Sequence, residues 1–336
     1  MTIKDLARES GYSLGTVSRV LNGHPNVSEK ARQAVMAVVE AQEFEINTNA
    51  RNLKQSHGNR VLVVIKGRRN ELFSGALVQY QAFFSRTSHP LMIEYIDELD
   101  NEVHRAAALC REIKPLGVLF LGGNQENFRR EFSRIPVPAV LVTGNAGAFS
   151  CANLSSVYTD DRKGAASAAE YLLQCGHREI LILGGDRERS DISRDRFEGF
   201  CGACVNAGCP VAEDHYYTCR FSYRSGYETM RQALQEGRKP TAVFAMADVI
   251  AIGAVRAIRE YGLQVPEDIS VVGYDGLEIG DYLQPRLTTV AQPMDTMAQC
   301  SAELLLAQIH RNEVPAHKEL VCQLQIRDSV CVRKEA

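Results

Sequence analysis

The sequence contains no tryptophan in 336 residues, so any aromatic platform must be built from its 12 phenylalanines and 12 tyrosines. Long apolar runs are also missing. Stretches such as Val61 to Ile65 and Gly117 to Leu121 fall far short of the roughly 18 residues that a spanning helix needs, so no membrane partner is expected. Nor is there an excess of one charge: 38 Lys and Arg face 41 Asp and Glu, for a net charge of −3. The first 57 residues hold seven basic and six acidic side chains, a polarity too mild to establish nucleic-acid binding on charge alone. Gly-Gly pairs at 122–123 and 184–185 follow apolar runs without completing a dinucleotide fingerprint, and no phosphate-loop motif occurs. Serine, histidine and carboxylates form no catalytic grouping either, so the reading is not an enzyme and no cofactor is expected. The amino terminus, Met1-Thr2-Ile3-Lys4-Asp5, has charges where a signal peptide would place its apolar segment, which predicts a cytoplasmic chain.

What is present suits an ordinary globular protein: 45% hydrophobic and 24% charged residues can bury a sizeable core. The length leaves room for a small domain joined to a larger bilobed one. Ten cysteines are scattered through apolar stretches, as buried free thiols are. Cys201, Cys204, Cys209 and His215 could in principle supply four zinc ligands. Cys201 and Cys204, however, stand at i, i+3 in a segment, 195–207, that reads as an amphipathic helix, so they are expected on a core face and no metal site is predicted.

The chain opens with a two-helix pattern. Ile3, Leu6 and Ala7 are spaced for one face of a short helix, which Gly11 can end from the left-handed conformation. Ser13 is a suitable N-cap for a second helix with Val17, Val20 and Leu21 on its apolar face. Ala7 is small enough for the two helices to cross closely. Ser28 then caps a third helix, from Glu29 to about Phe44, with Ala31, Val35, Val38 and Val39 as its packing face. On the second helix Ser13, Thr16, Ser18 and Arg19 are residue types that contact phosphates and read guanine edges in a major groove. The alternative is a three-helix bundle with no ligand.

The segments Thr2-Ile3-Lys4-Asp5-Leu6-Ala7, Gly11-Tyr12-Ser13, Thr16 to Asn22 and Val27-Ser28 resemble the headpiece of the lactose/galactose repressor family. Ala50-Arg51-Asn52-Leu53-Lys54 is similar to that family's hinge helix, in which Leu53 would be the leucine wedged into the minor groove. Where the family commonly has a proline before the hinge, this sequence has Ile46, with Asn47 left to cap it. The resemblance implies DNA contacts by Thr2, Ser13, Leu14, Gly15, Thr16, Ser18, Arg19, Asn22, Asn47, Ala50, Leu53 and Lys54.

From Arg60 onward, apolar runs alternate with amphipathic segments. Residues 61–65, 91–96, 118–121 and 139–142 read as one set of parallel strands, and 180–183, 216–219, 242–245 and 270–272 as a second set. Helices near 162–175, 195–207, 223–236 and 248–261 fall between the latter, which gives an α/β architecture of two doubly wound parallel sheets. Gly176-His177-Arg178-Glu179-Ile180, Arg196-Phe197-Glu198-Gly199-Phe200, Pro240 to Asp248, Val265 to Asp275 and Leu287 to Val290 resemble the family's effector-binding domain, a relative of periplasmic sugar-binding proteins. The resemblance implies that the last helix, near 294–311, returns to the first lobe. The expected domains are a helix-turn-helix headpiece (1–46), a hinge helix and linker (47–58) and a bilobed domain (59–333). Within the last, lobe 1 takes about 59–158 plus 291–318, and lobe 2 about 159–290 plus 319–333.

Ligands of open α/β lobes bind beyond the carboxyl ends of the strands. That rule and the resemblance together nominate Phe73, Asn124, Arg189, Arg196, Phe221, Asp248 and Asp275 as effector-binding. Asp248 has a second reading, as a cap of the helix that it begins. The arginines near 187–196 could favour an anionic ligand, but Asp186, Glu188, Asp191 and Asp195 can neutralise them. The expected function is a sequence-specific transcription regulator, a repressor, acting as a homodimer on a pseudo-palindromic double-stranded DNA operator. Its operator affinity would change with a small molecule, a sugar or sugar derivative, held between the lobes. The alternatives are a regulator answering mainly to a protein co-effector, and a bilobed ligand-binding protein or enzyme. The residues after Asp328 carry no leucine heptads, which favours a dimer over a tetramer.

Overall fold

A computed structural model describes residues 3–21, 27–42, 58–68, 70–149 and 151–333. The chain divides into two compact units, Met1–His57 and Gly58–Ala336.

The first unit is helical. Helix α1 (Ile3–Ser10) ends at Gly11, whose φ of +71° a side chain would oppose. Ser13 Oγ then accepts the N–H of Thr16 at 3.2 Å, satisfying one orphan donor at the start of α2 (Leu14–Leu21). Ser28 does the same for Ala31 at 3.4 Å, opening α3 (Glu29–Ala41). Leu6, Val17, Val20, Val35 and Val39 close into one core, each burial contributing roughly 1.5–3 kcal/mol. Helix α3 stops at Ala41 rather than near 44, and Gln42 Nε2 beyond it donates to Glu9 Oε2 at 3.1 Å. The expected hinge, with Asn47, Ala50, Leu53 and Lys54, lies outside the described residues, as do Thr2 and Asn22.

The second unit holds two six-stranded sheets. The first lobe has β1 (Val61–Lys66), β2 (Leu91–Ile96), β3 (Gly117–Leu121), β4 (Ala139–Val142), β5 (Leu154–Thr159) and, late in the chain, β11 (His317–Leu320). Its helices are α4 (Glu71–Phe84), α5 (Glu102–Ile113), α6 (Gln125–Glu131) and the returning α11 (Met294–Arg311). The second lobe has α7 (Asp161–Gln174), β6 (Ile180–Gly184), α8 (Asp191–Asn206), β7 (Tyr216–Thr218), α9 (Tyr223–Gln235), β8 (Ala242–Ala245), α10 (Asp248–Glu260), β9 (Ser270–Asp275), β10 (Thr288–Ala291) and β12 (Gln323–Gln325). The spatial orders are β11-β5-β4-β3-β1-β2 and β12-β10-β9-β8-β6-β7, parallel throughout except that β12 runs antiparallel to β10. Central strands buried on both faces explain the unbroken apolar runs at β1, β3, β4, β6 and β8.

Each sheet reverses its winding at the same place, between β1 and β3 in one lobe and between β6 and β8 in the other. A crevice at the carboxyl ends of the strands follows from that reversal. The chain crosses between lobes three times: at Thr159–Asp161, at Ala291–Met294 and at Leu320–Gln323. Strands β5, β10, β11 and β12 have no counterpart among the expected strands. β5 and β10 carry serines and threonines whose buried hydroxyls are hydrogen-bonded, and β11 and β12 are short, polar edge strands. β11 keeps the chain on the first sheet as far as Leu320, two residues beyond the expected lobe edge.

Helix α8 starts at Asp191 rather than 195, because Ser190 Oγ caps it by accepting the N–H of Ser193. Cys204 is buried beside Phe200, and Cys201 packs against the same core. Among the described residues no group of His, Cys, Asp or Glu is placed to hold a metal, and no helix is long and apolar enough to cross a membrane.

Candidate functional sites: an exposed helix and an interlobe cleft

On the first unit, helix α2 buries Val17 and Val20 and turns its other side outward. Ser13, Leu14, Gly15 and Arg19 are exposed, with Thr16 and Ser18 half-buried beside them. Leu14 is 44% exposed, unusual for a leucine on so small a core. Ser13 Oγ and Thr16 Oγ1 lie 3.0 Å apart, so the capping hydroxyls are ordered at the amino-terminal turn. The surface therefore offers hydroxyls, one guanidinium and one apolar side chain on a rigid helix, a set that can meet phosphates and base edges together.

In the second unit a buried polar cluster centres on Arg196, on α8. Its Nε donates to Asp161 Oδ1 at 2.7 Å, Nη1 donates to the carbonyl of Met246 and lies 3.5 Å from Asp275 Oδ1, and the guanidinium stacks 3.5 Å from the Tyr274 ring centroid. Burial works against this charge, but Asp161, Tyr274 and Asp275 outweigh it, and its pKa stands above the ordinary value. Asp275 ends β9 with φ at +116°, a conformation that costs a non-glycine residue about 1–3 kcal/mol. The neighbouring backbone holds it there. Gln292 N–H donates to the Asp275 carbonyl, and Leu277 N–H donates to Asp248 Oδ2 at 2.7 Å. Gln292 Nε2 donates to Asp275 Oδ1 at 2.8 Å, while Thr159 donates to Gln292 Oε1 at 3.2 Å, so two interlobe crossings meet at this carboxylate. Burial pushes the Asp275 carboxyl up to about 6 against the pull of Arg196 and Gln292.

The nominated residues divide into groups. Arg196 and Asp275 are brought together. Asp248 is fully enclosed; it does not cap α10, whose N-cap is Ala247, but accepts from Thr289 at 2.6 Å and from Leu277, holding the loop after Asp275. Burial, and then the charge of Asp275, push its carboxyl up to about 8. Asn124 caps α6 and sends its Nδ2 across the cleft to the carbonyl of Arg189 at 2.7 Å. The Arg189 side chain itself is 72% exposed and leans towards Asp186, so only its backbone meets the other lobe. Phe73 is 4% exposed in the first-lobe core, its ring against Gly122, where a Cβ would stand 3.1 Å away. Phe221 lies half-buried over Gly185, in the space that a Cβ 2.8 Å away would take.

A cleft of about 590 Å³ opens beside this network, lined among others by Glu71 and Leu72 of the first lobe, Asp275 and Leu277 of the second, and Gln292 and Met294 of a crossing. Leu277 packs against the cores of both lobes. Gln292, Asp161, Tyr274 and Glu71 were not nominated from the sequence. Gln292 follows β10, and reading Leu287 to Val290 as a strand would have placed it at a carboxyl end. The arginines near 187–196 are neutralised: Arg187 pairs with Glu213, Arg194 with Asp191 and Arg196 with Asp161.

Residues 2–47 match the family described as bacterial regulatory proteins, lacI family, and residues 134–330 match a periplasmic binding protein-like domain. The chain is 32% identical over 332 residues to the HTH-type transcriptional regulator MalR of Clostridium butyricum, covering 98% of this chain and 99% of that one. It is 29% identical to catabolite control protein A of Priestia megaterium, covering 94% of each. Among solved structures, a Lac repressor dimer bound to operator and the anti-inducer ONPF superposes with a TM-score of 0.75 at 26% identity, over 98% of this chain and 99% of that one. A complex of the transcriptional regulator CelR with cellobiose gives 0.70 at 27%, with the same coverage.

Proposed function

The chain belongs to the lacI family of bacterial regulatory proteins, and on that footing we propose that its effector is a sugar or sugar derivative held against Arg196 and Asp275. As a member it is a DNA-binding transcription regulator and not an enzyme, acting as a dimer on double-stranded operator DNA, with an operator affinity that a small molecule changes. The observation that carries the effector reading is the aspartate at positive φ, aimed at a fully buried arginine where the lobes cross. A carboxylate and a guanidinium fixed in this way offer an acceptor and donors to hydroxyl groups without further ordering. Complexes with cellobiose and with ribose among the structural neighbours support a carbohydrate. A family of gene regulators also supports a cytoplasmic location.

The operator is read by Leu14 and Arg19, with Ser13, Gly15, Thr16 and Ser18 against the backbone. Thr2, Asn22 and the segment with Asn47, Ala50, Leu53 and Lys54 complete the contact, and the domain limits proposed are those of a headpiece, a hinge and a bilobed domain. Effector titrations on wild type and Asp275→Ala, each with operator binding measured in parallel, test the reading. Asp275→Ala should lose the response to sugars while its operator affinity without ligand stays near wild type. An unchanged response would remove Asp275 from the effector site. Arg19→Ala should cost about 1–3 kcal/mol at one base pair per half-site. A uniform loss over all operator variants would make Arg19 a phosphate contact.

A further inference from the structure

The turn between β2 and α5 carries Asp97, Glu98, Asp100 and Glu102, and its two ends face different partners. At the outer end, Arg220, just beyond β7 in the second lobe, donates from Nη2 to Asp97 Oδ1 at 2.6 Å and from Nε to Glu98. At the inner end Glu102 is fully buried. Its Oε1 accepts the backbone N–H of Asn124 at 2.7 Å, and its Oε2 accepts from Lys66 Nζ, which also donates to the Asp100 carbonyl at 2.8 Å. Asn127 Nδ2 donates to both carboxylate oxygens, at 3.3 and 3.2 Å. The segment fixed by Glu102 is the one that reaches the second lobe: besides the Asn124 side-chain contact to Arg189, the Gln125 N–H donates to Asp191 Oδ2 at 2.6 Å.

We propose that this acidic turn is an ionic clasp which biases the lobes towards closure, with Arg220 as its exposed catch and Glu102 as the residue that positions its buried half. Glu102 touches no second-lobe residue. It acts through Asn124, whose N–H it accepts, and so through the adjoining Gln125. The two halves respond differently to their surroundings. Arg220, Asp97 and Glu98 are solvated, and screening shortens from about 8 Å at 0.15 M salt to about 3 Å at 1 M, so the catch weakens with salt. The Lys66–Glu102 pair is enclosed and keeps its strength. Opening therefore starts at Arg220 and spreads along the turn to Glu102, and through it to Asn124 and Gln125. The clasp operates in the ligand-free protein and so does not depend on the identity of the effector.

Hydrogen exchange on the full-length, ligand-free protein reads the clasp directly, because the Gln125 amide lies inside it. Arg220→Ala should raise exchange at residues 124–126 about two- to tenfold, in keeping with the small worth of exposed pairs, and raise it also at 189–191 across the cleft. Wild type at 1 M salt should show the same pattern, and the charge swap Arg220→Glu with Asp97→Arg and Glu98→Arg should restore slow exchange. Glu102→Asp keeps the charge but shortens the reach, and should raise exchange at 124–126 and at 189–191 with Arg220 intact. A purely structural role for Glu102 would disturb first-lobe amides alone. The urea midpoint of each variant separates clasp opening from unfolding. If Arg220→Ala changes exchange only within 97–100, with 124–126 and 189–191 at wild-type rates, the clasp is overturned.

Discussion

The two lobes wind their strands in one order, yet they are packed on different terms. In the second lobe, helices meet backbone to backbone through glycine. A Cβ on Gly253 would stand 2.1 Å from the Tyr223 carbonyl, on Gly226 2.4 Å from that of Ile250, and on Gly199 2.2 Å from that of Arg162. The same lobe buries Arg196, Asp161, Asp248 and Asp275 in one network. In the first lobe the nearest atom to a Cβ on Gly117 would be the side-chain tip of Leu305 at 2.8 Å, with the tip of Ile309 and the Pro138 carbonyl both at 3.1 Å, and Gly75 on α4 faces nothing within 4 Å. Side-chain tips can rotate; peptide groups cannot. The helix contacts of the second lobe thus leave less room to adjust than those of the first.

The largest test of that contrast is Arg196→Ala, which strands Asp161 and Asp275 in the interior. It should cost about 3–5 kcal/mol, read from urea denaturation, and a loss under about 1 kcal/mol would show that the second lobe's polar centre relaxes freely. Next comes a pair of glycine substitutions. Gly253→Ala should destabilise by about 1–3 kcal/mol or more through overpacking, whereas Gly75→Ala should be stabilising by about 0.5–1 kcal/mol, since an open helical position only gains from alanine. Equal effects at the two sites, measured as shifts in thermal midpoint, would erase the distinction.

A further test is a pH dependence. A carboxyl whose pKa is higher in the folded chain contributes stability that is complete below its ordinary value near 3.8 and is lost as pH rises towards the folded value, about 8 for Asp248. Between pH 5 and 8 wild type should therefore lose stability relative to Asp248→Asn, by at most about 1.4 kcal/mol per pH unit for one proton. Parallel profiles of the urea midpoint would mean that Asp248 is ionised throughout.

Much of this frame is legible in the residue pattern, for physical reasons that also mark where reading stops. Strands 139–142 and 242–245 are found to the residue, because a parallel sheet covered on both faces needs unbroken apolar runs, and the edge strand 91–96 and helix α11 at 294–311 match as well. β11 and β12 are not, since a three- or four-residue polar edge carries no hydropathic signal. Within the cleft, Arg196 and Asp275 were nominated and do meet. Phe73 was nominated as a loop aromatic but closes the first-lobe core, because the glycine opposite it leaves room for the ring. Arg220 and Glu102 were missed for the opposite reason: each meets its partner across many intervening residues, and no local spacing encodes such a meeting.

The three crossings also bear on how the protein is made. β5 acquires its outer neighbour only when His317–Leu320 is in place, and β10 only when Gln323–Gln325 is. A growing chain leaving the ribosome therefore holds neither sheet complete until about residue 320, and then completes both almost at once. Until that moment two exposed strand edges, β5 and β10, wait side by side in time, open to pairing with other nascent chains. The polar, solvent-facing character of β11 and β12, invisible as structure in the sequence, then serves a purpose of its own: it closes each sheet with an edge to which further strands attach poorly.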